Sequence, residues 1–295
     1  MMPILFRISL TIPFYGHAEI PIYGFGMMLV LAFLTAPALA CWRARREGLD
    51  PEVILDMAFW LFVSGLIGAR AVYCFQYWGK TIHNFWEALQ YWNGGIVYYG
   101  SVIGGVIGFF AYRWFRPFPI RPYLDVVAPS IALGTFFGRL GCFLNGCCFG
   151  DVCRLPWAVS FPMKSPAWDH QTTLHLIDSQ APHSLPIHPT QLYSSLDALV
   201  LLLLLTAYYP VRRRDGEVMG LLMLAYPVTR ILIEYLRDDE GVFFAGMTIS
   251  QNISLLLLLG GALYWAWILW FPGGRHDVER SVSQPHASDL AAARS

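Results

Sequence analysis

The chain has 295 residues, 56% hydrophobic and only 14% charged, whereas ordinary soluble domains carry about 25% charged residues. Its 20 Lys and Arg balance 20 Asp and Glu, which argues against the basic face that a nucleic-acid partner needs. A membrane protein fits these numbers, and the placement of its charges says more than their sum.

Residues 1–20 show no small-residue cleavage site after a compact apolar core, so they do not read as a cleaved signal peptide. Apolar spans follow at about 21–42, 52–78, 94–114, 124–147, 189–209, 217–236 and 248–271. Each is near the roughly 20 residues that a helix needs to cross a bilayer. The expected fold class is therefore all-α: a polytopic membrane protein of seven transmembrane helices with its termini on opposite sides. Arg43, Arg45 and Arg46 follow the first span, Arg113, Arg116 and Arg121 the third, Arg212, Arg213 and Arg214 the fifth, and Arg275 and Arg280 the seventh. The alternate loops hold far fewer: Lys80, then Arg154 and Lys164, then Arg237. Because Lys and Arg in short cytoplasmic loops set topology, this asymmetry puts the N-terminus outside and the C-terminus in the cytoplasm. Residues 1–272 read as one transmembrane domain, and the polar, Ala- and Ser-rich tail 273–295 reads as disordered.

Several spans carry polar residues that lipid does not tolerate without a reason. Arg70, late in the second span, is either a snorkelling side chain or a buried ligand for an anion. The third span opens with Gly94-Gly95-Ile96-Val97-Tyr98-Tyr99-Gly100, whose glycines permit close backbone approach and whose tyrosines also suit a membrane interface. The fourth closes on Gly138-Arg139-Leu140-Gly141-Cys142-Phe143-Leu144-Asn145-Gly146-Cys147-Cys148-Phe149-Gly150. An arginine at mid-bilayer costs about 2.5–3.5 kcal/mol on insertion scales, so Arg139 marks a buried anion site. Cys142, Cys147, Cys148 and Cys153 cluster here as C-x4-C-C-x4-C. That lacks the C-x2-C pairing of common zinc sites, so packing comes ahead of a disulfide and a disulfide ahead of a metal, and neither metal nor cofactor is expected.

The outer loop 151–188 is long enough to be functional rather than incidental. Its Trp157, Phe161 and Trp168 are candidates for the headgroup level, and a simple surface cap is the equal alternative. His188-Pro189-Thr190-Gln191-Leu192-Tyr193 starts the fifth helix, with His188, Gln191 and Tyr193 offering a polar lining. In the sixth helix Arg230, Glu234 and Arg237 stand at i, i+4 and i+7, on one face over about 10 Å. A structural ion pair is one reading; with two arginines to one glutamate, an anion-binding face is favoured. Arg70, Arg139, Arg230 and Arg237 all fall toward outer helix ends, and guanidinium groups suit a phosphate because they donate paired hydrogen bonds to its oxygens.

The signature 138–146, with His188-Pro189-Thr190-Gln191-Leu192-Tyr193, Tyr23-Gly24 and Arg230-x3-Glu234-x2-Arg237, resembles the prolipoprotein diacylglyceryl transferase family from about Ile22 to the seventh helix. The resemblance implies a bacterial inner-membrane enzyme that moves the diacylglyceryl group of phosphatidylglycerol onto the lipobox cysteine of a preprolipoprotein, releasing glycerol phosphate. It further implies that Arg139 and Arg230 stabilise the departing phosphate, that Glu234 orients an arginine, and that Tyr23, Asn145 and Arg237 line the site. Two positions depart from the family's better-known pattern. Tyr99 stands where many members have histidine, and Cys142 and Cys147 stand where asparagine and glutamate are often found. With an ordinary pKa near 10, a phenol needs adjacent cations to act as the base, and Tyr99 takes that place in the catalytic set. The competing readings are a diverged paralogue acting on another lipid or thiol, an anion transporter, and a membrane redox or metal protein. A transporter is disfavoured by the lack of an internal repeat.

Overall fold

The computed structural model describes residues 4–12, 16–78, 84–90, 95, 97–239 and 241–271; the tail 273–295 lies outside them. In chain order the elements are strands β1 (Ile4–Ile12) and β2 (Gly16–Tyr23), then helices α1 (Gly24–Arg46), α2 (Pro51–Tyr77), α3 (Phe85–Leu89), α4 (Tyr98–Phe115), α5 (Ile120–Asn145), α6 (Pro166–Thr173), α7 (Thr190–Tyr208) and α8 (Glu217–Glu234). Strands β3 (Val242–Phe244) and β4 (Met247–Thr248) lead into α9 (Ile249–Trp270). Five helices among the described residues are long and apolar enough to cross a membrane: α1, α2, α5, α7 with its following turn, and α9. Helices α4 and α8, of 18 residues each, fall outside that set. Leu203, Leu256, Leu263 and Phe110 are among many large apolar side chains left exposed, the pattern of helices that face lipid rather than water.

The chain divides into two compact units, one formed by residues 1–39 and 124–295 and the other by 40–123. In the smaller unit, α2 and α4 meet backbone to backbone. A Cβ on Gly68 would collide with the Gly100 carbonyl, and one on Gly104 with the Ser64 carbonyl, so the small residues at i, i+4 spacing are what permits the approach. Asp50 caps α2 by accepting from the Glu52 N–H at 2.9 Å. Arg116, at the end of α4, donates to Asp50 at 2.7 Å and to Asp56 at 2.8 Å.

In the larger unit, β1 and β2 form an antiparallel hairpin. The alternation Ile4, Phe6, Ile8, Leu10, Ile12 was available in the sequence as a period-2 signal for a strand. Asp125 of α5 is fully buried and accepts the N–H groups of Gly216, Val218 and Met219 at 2.7, 2.9 and 3.1 Å. It caps the start of α8 from another helix, which meets the orphan donors there. Thr229 of α8 donates to Asp197 of α7 at 2.9 Å.

The segment 151–188 folds on itself around α6. Phe161 and Ile187 are buried with Phe149 and Ala167, and Phe143 packs against them. Trp168 is also buried and donates its indole N–H to the Ala181 carbonyl at 2.7 Å. The expectation of aromatics at headgroup level is therefore corrected for Phe161 and Trp168, whose side chains build the segment's own core. Trp157 remains exposed.

Candidate active site

The site grows from the end of α5. The helix closes with the Gly146 N–H bonded to the Cys142 carbonyl at 2.9 Å and the Cys147 N–H to the same carbonyl at 3.2 Å. Gly146 has φ +75°, the left-handed conformation that favours glycine at a helix C-terminus. Cys148 also lies in the left-handed region, at φ +58°, which costs a non-glycine residue about 1 kcal/mol. The turn is held from outside: Thr190 donates to the Cys148 carbonyl and Gln191 to the Cys147 carbonyl, both at 2.9 Å. Gln191 is thus a fully buried anchor of the signature loop, and its Oε1 is a buried acceptor with no partner among the described residues.

Gly150 is where three distant segments join. Its N–H donates to the His188 carbonyl at 3.2 Å, it pairs with Arg237 in an antiparallel bridge, and the Asp151 N–H donates to the Leu236 carbonyl at 3.0 Å. A Cβ at position 150 would lie 2.7 Å from both His188 and Thr190 and press on the Leu236 carbonyl. Only glycine fits this crossing, which brings the signature, the start of α7 and the end of α8 together.

The charged groups then fall into place. Glu234, buried, pairs with Arg230 on its own helix and accepts a hydrogen bond from Thr248 at 2.8 Å. Thr248 is also the N-cap of α9, so one residue starts a helix and orients the site carboxylate. Arg237 makes a paired contact with Asp239 at 2.8 and 2.7 Å and approaches Glu234 at 3.7 Å. The two-to-one imbalance on this face is thereby corrected, because Asp239 supplies the second carboxylate from just beyond the helix. Arg139 differs: half-buried, it makes no hydrogen bond or ion pair among the described residues. Its field, with that of Arg237, falls on Cys148.

The sulfur atoms of Cys142, Cys147 and Cys148 all lie within 4.8 Å of one another. Hydrogen bonds from Cys142 and Cys147, then the charges of Arg237 and Arg139, push the Cys148 thiol far below its ordinary range against the opposing effect of burial. Cys153 lies outside the trio, and all six cysteines are free thiols. Asn145 is exposed, contacts the Cys147 side chain and lines a cavity of about 130 Å³ with Phe161 and Lys164. Leu144 lies 3.0 Å from where a Gly24 Cβ would stand, which sets Tyr23, exposed, at this end of α5. Tyr193 accepts from Trp157 at 2.7 Å and meets His188 at 3.4 Å.

Arg70 and Tyr99 belong to the smaller unit. Arg70 is buried, with donors directed at the carbonyls of Ala88 (2.8 Å), Gly95 (2.9 Å), Glu87 (2.7 Å) and Gln90 (3.1 Å). It is neither snorkelling nor open to a phosphate in this arrangement: its guanidinium fastens the connection between α2 and α4. Tyr99, in the first turn of α4, is 40% exposed.

The sequence matches the model of the prolipoprotein diacylglyceryl transferase family over residues 12–267. The chain belongs to that family. A phosphatidylglycerol–prolipoprotein diacylglyceryl transferase of Clostridium tetani is 33% identical over 261 residues, 88% of this chain and 95% of the relative. One of Synechococcus elongatus is 32% identical over 273 residues, 90% of each chain. In Rhodopirellula baltica a relative of the same name is 42% identical over 155 residues, half of this chain and 31% of the relative.

Proposed function

We propose that this protein transfers the diacylglyceryl group from phosphatidylglycerol to the lipobox cysteine of preprolipoproteins, forming a thioether and releasing glycerol phosphate. It is a multi-pass membrane transferase, and we place it in the bacterial inner membrane. The proposed topology has seven spans, α4 and α8 being the two shorter ones, with the N-terminus outside, the C-terminus cytoplasmic and the segment 151–188 on the outer face. Residues 1–272 form the catalytic domain.

The observation that carries this reading is Arg139, a half-buried guanidinium at the end of an apolar helix without a carboxylate among the described residues. An unpartnered charge in such a place is costly unless an anion completes it. As the glyceryl C–O bond breaks, the departing phosphate gains a second negative charge, which a fixed guanidinium stabilises more than it does the ground state. Arg139 takes that role with Arg230, which Glu234 orients, while Tyr23, Asn145 and Arg237 line the phosphatidylglycerol site. His188 and Tyr193, joined by their 3.4 Å contact, form its wall, and Gln191 holds the loop on which it rests. Tyr99 accepts or relays the thiol proton. We leave Arg70 out of the clamp on account of its carbonyl partners.

The test is incubation of the purified protein with phosphatidylglycerol and a lipobox peptide, followed by mass measurement of the peptide. A gain of one diacylglyceryl group on the cysteine is expected. An unmodified peptide, or modification only from another lipid, overturns the proposal.

A further inference from the structure

Cys147 and Cys148 are adjacent, and neighbouring residues in extended backbone point apart. Here the left-handed turn at Cys148 brings both sulfurs together with that of Cys142, one helical turn earlier. All three lie within 4.8 Å of one another. Three thiolates around a zinc ion, with Zn–S near 2.3 Å, stand about 3.8 Å apart, within reach of small side-chain rotations. The carbonyls of Cys147 and Cys148 are fixed by Gln191 and Thr190, support of the kind that orients metal ligands from behind.

We infer that Cys142, Cys147 and Cys148 form a three-thiolate zinc site whose open fourth position takes the acceptor cysteine of the substrate. This rests on the function proposed above. Three protein ligands and one open position make the set typical of catalytic rather than structural zinc, and thiolates select thiophilic ions. Zinc with three thiolates carries one net negative charge, and the acceptor thiolate makes it two. Arg139, the cation near Cys148 with no carboxylate of its own among the described residues, offsets one of them, while Arg237 is already paired with Asp239.

The site answers the weakness left by Tyr99, because a thiol coordinated to such a metal is deprotonated outright. The acceptor S–H binds as thiolate and its proton is lost to water. The sulfur lone pair then forms the C–S bond to the glyceryl carbon. The C–O electron pair leaves with glycerol phosphate under Arg139, and the thioether product, a neutral and weaker ligand, departs. No electrons change hands with any third reagent. Because Arg139 acts on Cys148, the clamp for the leaving group and the seat of the nucleophile are neighbours, as a displacement requires.

The full-length protein in detergent micelles, stripped with a chelator, is titrated with Co²⁺ and separately with Zn²⁺. One metal per chain is expected, with a thiolate-to-cobalt charge-transfer band that Cys147→Ser removes and Cys153→Ser keeps. In the wild-type protein zinc should shield three thiols from alkylation, counted by mass, so the result does not depend on how well the variant folds. Transfer to a lipobox peptide should fall about 10²-fold in the stripped protein, the scale of losing a positioned proton acceptor, and return with zinc. The same number of alkylatable thiols with and without zinc overturns the site; transfer by that protein would leave the proposed function standing. Stoichiometric zinc with unchanged transfer after stripping overturns its part in activating the acceptor. Stoichiometric zinc with no transfer from phosphatidylglycerol overturns the function on which the inference rests.

Discussion

Arg139 differs from the other arginines expected to bind phosphate. Arg230 and Arg237 face carboxylates and Arg70 faces carbonyls, whereas Arg139 has neither among the described residues and its field falls on Cys148. Substituting Arg139→Ala should lower transfer by about 10²–10³-fold, the usual effect of losing one donor to a developing oxyanion. Membrane insertion and thermal stability should be unchanged. Normal turnover in that variant would remove the clamp. The Tyr99→Phe variant tests the phenol: a loss of about 10-fold or more in lipobox-peptide modification is expected for a positioned acid or base, and undiminished activity would retire it. At this scale the sequence was informative where a charge had no business in an apolar span, as with Arg139, Arg230 and Glu234. It was silent where partners come from loop backbone. Asp239 becomes the mate of Arg237 only through the turn after α8, and the carbonyls around Arg70 come from a connection whose path composition does not encode. The meeting of three sulfurs depends on a positive φ at Cys148, which the identity of a cysteine gives no reason to expect.

Among the elements, the contact of α2 with α4 and the crossing at Gly150 are two places where only glycine fits. Gly104→Leu would press a branched side chain into the Ser64 carbonyl and the Gly68 backbone, and overpacking of this kind costs about 1–3 kcal/mol. It should lower the unfolding temperature in detergent, while Gly26→Ala, with nothing within 4 Å, should leave it unchanged. Gly150→Ala should lower transfer without loss of membrane insertion, because the added methyl parts His188, Thr190 and Leu236 and misaligns the groups they carry. Kinetic measurement with the lipobox peptide checks this, and wild-type kcat/KM would contradict it. The close approach in the Gly100 region was legible from small residues at helical spacing. Gly150 was not, because its demand comes from segments 38 and 86 residues later in the chain, at His188 and Leu236.

For the molecule as a whole, the spans and their charge bias give an orientation that labelling can check. An impermeant thiol reagent applied to intact spheroplasts should modify a cysteine placed at Asp178, in the proposed outer segment, and spare one placed at Arg275. The reverse pattern would invert the topology. Most helices were legible because apolar length is a property of local sequence. The self-packed core around Phe161 was harder, since loops announce only their polarity, whereas the hairpin β1–β2 did carry a period-2 signal in residues 4–12.

The joining of the signature, α7 and α8 at Gly150 is made almost entirely by main-chain groups: an N–H to His188, a bridge to Arg237, a carbonyl from Leu236. Main-chain groups are common to every residue type, so apart from Gly150 itself, where a Cβ would clash, the frame asks little of the side chains mounted on it. The chemistry of the loop, Cys142 and Cys147 included, can therefore be exchanged without rebuilding the architecture that holds Arg139. The frame is a socket, and the reactive groups it receives are separable from the socket itself.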